Sequence, residues 1–93
     1  MRISVALPST LGRVEAVAFR GQLLVAFDQK ESVVIDCAQA GNLPALWVQL
    51  LCSAAASAQA RTLSVILKGI SEQCRASFTG LGIDLAASAL VLE

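Results

Sequence analysis

No histidine occurs in these 93 residues, and the seven carboxylates, Glu15, Asp28, Glu31, Asp36, Glu72, Asp84 and Glu93, form no close pair that could divide acid and base roles. The sequence therefore offers no hydrolytic machinery, and no catalytic residue is assigned. Asp36 is the acid best placed for chemistry. It ends the apolar run Val33-Val34-Ile35, and ligands of open α/β sheets gather at the carboxyl ends of strands. The role expected for it is structural, because an aspartate leaving a strand readily caps the following loop backbone. Cys37, Cys52 and Cys74 are odd in number and widely spaced, with no CxxC pair. Neither a zinc site nor a disulfide framework is expected, and three free thiols packed as small hydrophobes are. No glycine-rich stretch runs from a strand into a helix, so phosphate-binding and dinucleotide loops are also missing. No metal and no cofactor is expected.

Composition narrows the classes further. Seven basic and seven acidic residues cancel, which removes the long-range attraction that nucleic acid or an anionic membrane would exert. Hydrophobic residues make up 56% of the chain and charged ones 15%, below the roughly 25% charged of ordinary domains. One small core cannot absorb that apolar excess, so an interface with a partner protein or a second copy of the chain is expected. The length fits one domain, residues 1–93. The opening Met1-Arg2-Ile3-Ser4-Val5 has no secretory pattern, and a cytoplasmic location is expected. Cys37 to Ala60 carries no charge, yet Gln39, Asn42, Gln49, Ser53, Ser57 and Gln59 would lack partners in lipid, so no membrane span is expected.

The elements that must hold these residues can be read from periodicity. Ile3, Val5 and Leu7 alternate with small or polar residues and stop at Pro8, which describes a strand at a sheet edge or one paired antiparallel. Between Arg13 and Phe27, Val14, Val17, Ala18, Leu24 and Val25 recur at helical spacing and form the face expected to lie on the sheet. Gly21 there marks either close approach or a break. Val33 to Asp36 reads as a central strand, and Leu63, Val65 and Leu67 form another with Ile66 on the opposite face. A helix from Pro44 to about Ala60 connects them, so the unit is a parallel βαβ. Asn42 is its expected cap, and Trp47, Leu50, Leu51, Ala54 and Ala58 its buried stripe. Ala45, Gln49, Ser53, Ala56 and Gln59 form its small, uncharged outer face. Ser71 is expected to cap a third helix with Cys74, Ser77, Phe78 and Leu81 on one side, ended by Gly80 or Gly82, and Leu85 to Leu92 to form a short strand or helix.

This order of elements, the strand Val-Val-Ile-Asp at 33–36 and the ending Phe78-Thr79-Gly80-Leu81-Gly82-Ile83 resemble the STAS domain of anti-sigma factor antagonists across nearly the whole chain. The resemblance implies an α/β fold, a single STAS-like domain with a mixed four- to five-stranded sheet and helices packed against it. In that family a phosphorylated serine follows the strand's aspartate by about eight residues. Here the corresponding stretch is Pro44-Ala45-Leu46-Trp47, and no phosphorylation site is assigned because Ser32, Ser53 and Ser57 lie outside the helix start. The resemblance further implies docking through this loop and helix, with Asn42, Leu43, Ala45, Leu46, Gln49 and Ser53 as the partner-binding set and Asp36 as loop cap. The expected function is a non-catalytic protein-protein interaction module in bacterial signalling. Its expected partner is a histidine kinase or an anti-sigma kinase in a chemotaxis or anti-sigma pathway. The alternative is a STAS-like accessory subunit bound to the ATPase of an ABC-type lipid or anion transporter.

Overall fold

The computed structural model describes residues 2–93 and, for Ala86, the backbone alone. The chain runs β1 (Arg2–Ala6), α1 (Arg13–Asp28), β2 (Ser32–Asp36), α2 (Ala45–Ala60), β3 (Val65–Lys68), α3 (Glu72–Gly80), a single 3-10 turn (Leu85–Ala87) and β4 (Val91–Leu92). The four strands lie in the order β1-β2-β3-β4, and every neighbouring pair is parallel. The sheet is thus uniformly parallel rather than mixed. The reason lies in the connections, since each strand is separated from the next by a helix or helical turn, and such a crossover returns the chain in the same direction. The half-buried alternation of β1 comes from its place at the sheet edge, not from antiparallel pairing.

Sequential parallel strands with right-handed crossovers put the helices on one face of the sheet. On that face Val33, Ile35, Val65 and Leu67, each at most 1% exposed, pack with residues of all three helices in one cluster. The row Val5, Ile35, Leu67 and Leu92 crosses the whole sheet in register beneath them. The row Ser4, Val34, Ile66 and Val91 lies on the opposite face, as the sequence indicates for Ile66. There Arg2 on one edge strand and Glu93 beyond the other form a 3.2 Å ion pair across that face.

The helix α1 is rotated from the orientation expected. Its buried residues are Ala16, Phe19, Leu23, Ala26 and Phe27, whereas Val14, Val17 and Val25 stand 78%, 69% and 56% exposed. Both stripes are apolar, and the one with two phenylalanines and a leucine goes inside because larger side chains remove more apolar area from water, about 1.5–3 kcal/mol each when fully buried. Gly21 marks neither close approach nor a break, since α1 is continuous through it and no atom beyond the adjoining backbone of α1 lies within 4 Å of where its Cβ would stand.

In α2 the buried stripe is Trp47, Val48, Leu51, Ala55 and Ala58, with Leu50 and Ala54 partly buried beside it. The whole expected outer face, Ala45, Gln49, Ser53, Ala56 and Gln59, is exposed. Trp47 is the anchor. It is fully buried, its ring lies 5.4 Å from that of Phe19 at a tilt of 53°, and its Nε1 donates to the Gly12 carbonyl at 3.3 Å. This one side chain locks α2 to α1 and to the turn before α1.

Candidate functional site

The β2–α2 loop, residues 37–44, is held from three sides. At its start the Ala38 amide donates to Asp36 Oδ1 at 2.9 Å, an Asx-type closure, and the Cys37 amide donates to the Lys68 carbonyl at 2.8 Å. In its middle the Ser71 hydroxyl donates to the Ala40 carbonyl at 3.1 Å. At its end the Leu43 amide donates to Ser77 Oγ at 2.8 Å, and Ser77 in turn donates to the Gln73 carbonyl at 3.0 Å. Two serines of the β3–α3 region therefore strap the loop in place. The cap at Ser71 was legible in the sequence, but nothing in the sequence signals that Ser71 and Ser77 reach back to residues more than thirty positions earlier.

Where the loop becomes α2, Pro44 occupies the N-cap position with φ −60° and ψ 153°, and no side chain caps the helix. Asn42 is not the cap. It lies two residues upstream of Pro44, too far to reach the first-turn amides, and is exposed. The α2 start is thus an open helix N-terminus with the partial positive charge that such an end carries. Around it the predicted partner-binding residues separate. Asn42, Ala45, Leu46, Gln49 and Ser53 are all exposed, Leu46 at 43%. Leu43 is not available to a partner: its side chain is 6% exposed within the main core cluster, and its amide is spent on Ser77. The apolar floor of the loop needs this leucine more than a surface does.

Beneath the loop lie two of the three thiols. Cys37 and Cys74 are fully buried, and Cys37 Sγ donates weakly to the Ile35 carbonyl at 3.6 Å. The neighbouring Cys74 side chain, then burial, then the nearby Asp36 carboxylate push the Cys37 thiol above the usual range. It stays a neutral thiol at neutral pH and is no nucleophile. Among the described residues no group of three histidine, cysteine or acidic side chains could hold a metal ion, and no helix is long and apolar enough to cross a membrane.

A second feature adjoins the α2 start. Between α1 and α2 runs a groove of about 330 Å³, with Leu46, Gln49 and Ser53 on its α2 side and Arg13, Val17 and Arg20 on its α1 side. Its arginines were not singled out from the sequence, because a lone arginine on a helix gives no signal until the neighbouring helix is in place.

The family model described as "Mlab, STAS domain" matches residues 2–92. Among solved structures, a serine-to-glutamate variant of RsbS from Moorella thermoacetica superposes with a TM-score of 0.81 at 23% sequence identity, covering 99% of this chain and 80% of that one. No curated protein matches the chain.

Proposed function

We propose a role from the premise that the chain belongs to the STAS-domain family: it is a non-catalytic docking module of bacterial signalling that engages its partner without a phosphorylation gate. The observation that carries this reading is the α2 start. Pro44-Ala45-Leu46-Trp47 contains no hydroxyl, so the group that would receive a phosphate is missing where the fold presents an open helix end. Without phosphate, the local charge of that end never changes, and binding is constitutive. The surface is made by Asn42, Ala45, Leu46, Gln49 and Ser53, uncharged and exposed.

The partner in this reading is a histidine kinase or an anti-sigma kinase in the cytoplasm, which supplies the nucleotide chemistry that this chain lacks. Replacing Gln49 or Asn42 with lysine leaves the core untouched and places an unpaired charge in the interface. Either change should abolish capture of the partner in a pull-down. Unchanged capture rejects this surface, and capture of a transporter ATPase in place of a kinase moves the module to a transport setting.

A further inference from the structure

We infer that the groove between α1 and α2 is a seat for an amphipathic helix of a partner protein, apolar along one side and bearing carboxylates two turns apart. This rests on the docking reading above and adds what the partner must bring.

Three observations carry it. First, shape. The α1 wall is the single ridge Arg13, Val17, Arg20 and Leu24, and the α2 wall is Leu46, Leu50, Ser53 and Ser57, each spaced by three or four residues. At about 1.5 Å per residue each of these walls runs roughly 17 Å, so the 330 Å³ forms a shallow furrow rather than a chamber. A furrow of that length between two helices takes the ridge of a third of about 12 residues or slightly more. Second, apolar exposure. Val17 is 69% and Leu46 43% exposed on the two sides, large side chains that a docked helix would remove from water.

Third, charge. No acidic residue lines the furrow, and among the described residues Arg13 and Arg20 enter no ion pair. Glu15, the acid in the first turn of α1, does not line the furrow, and its carboxylate lies close to Gly12. Both helices run the same way, so their N-terminal ends, with their partial positive charge, meet at the Arg13 and Leu46 end. At the opposite end Arg61 is already paired with Asp28 at 3.3 Å and sits 6.0 Å from the Phe27 ring. The furrow's lining is therefore positive along its first half, at Arg13 and Arg20, and bears no charged residue beyond them. Arg13 and Arg20 are seven residues apart, which fixes the matching spacing of two carboxylates on a helix laid alongside.

The test uses two rigidified 14-residue helical peptides with one shared apolar stripe, carrying glutamates in one and lysines in the other at two positions seven apart. Fluorescence anisotropy with the intact chain should show the glutamate peptide binding at least tenfold tighter at low salt. That preference should shrink toward 1 M salt, and leucine methyl NMR shifts should map to Leu24, Leu46 and Leu50. The double variant Arg13→Glu/Arg20→Glu, at two exposed positions, should keep its thermal melt and reverse the preference. Equal binding of both peptides, no binding of the glutamate peptide, shifts located elsewhere, or a preference that survives the double reversal overturns the inference. Asn42 and Ala45 lie outside the furrow. If Asn42→Lys abolishes partner capture while the glutamate peptide fails, the furrow is wrong and the docking surface stands. If the peptide binds as expected while Asn42→Lys and Gln49→Lys leave capture intact, the furrow stands and the α2-start surface is wrong.

Discussion

The starts of α2 and α3 sit side by side over the same loop and are secured in opposite ways. At α3, Ser71 accepts the Cys74 amide at 3.1 Å and donates to Ala40, so its hydroxyl both caps a helix and straps a loop. At α2, Pro44 caps nothing, and the helix is held by the burial of Trp47, Val48 and Leu51 beneath it. One helix end is closed by a hydrogen bond, the other left open and fixed by packing. The contrast separates two uses of a helix start: the hydroxyls of Ser71 and Ser77 are spent on the loop, and the α2 start, Pro44-Ala45-Leu46-Trp47, carries none.

The sharpest way to break this contrast is to remove the packing at α2. Trp47→Ala should destabilise the chain by about 3–5 kcal/mol in urea unfolding, as a cavity in the core does. A loss of under roughly 1 kcal/mol would mean that α2 does not depend on this anchor. Ser71→Ala should cost about 2 kcal/mol, the usual value of a cap plus one further hydrogen bond. The expected order, with Trp47 well above Ser71, is the comparison in numerical form, and the reverse order would refute it.

Ala45→Asp separates stability from binding. A carboxylate in the first turn of an open helix should raise stability by about 0.3–1 kcal/mol. It also imitates the charge of a phosphate on the proposed docking face, and should weaken partner binding at least tenfold. A gain in stability with undiminished binding would remove the α2 start from the interface. Ser77→Ala should cost about 1 kcal/mol and loosen residues 40–43, seen as faster amide exchange at Leu43. The smallest effect concerns the thiols. Cys37 and Cys74 are fully buried, so a maleimide should label the partly buried Cys52 first and the other two only on unfolding.

How much of this was legible in the sequence depended on how one-sided each segment is. The α2 outer face was visible because five small or amide residues recur at helical spacing opposite tryptophan and leucines, and Ser71 because a serine before Glu72 is a plain start signal. The phase of α1 was hidden, since valines on one side and phenylalanines and leucine on the other give little amphipathic contrast, and only packing decides that the larger set goes inside. The β1 pairing was hidden because an edge strand over an open face alternates as an antiparallel strand does. Leu43 was misplaced for a related reason: a leucine in a loop looks available until α3 is laid beneath it and Ser77 takes its amide. The furrow was invisible because it belongs to two helices, and neither one alone contains it.

The most direct measurement is the intact mass of the chain recovered in complex with its partner from cells in which the pathway is active. The account predicts a partner bound to a polypeptide of unmodified mass. A bound population heavier by one phosphate, with the phosphate on this chain, would contradict it.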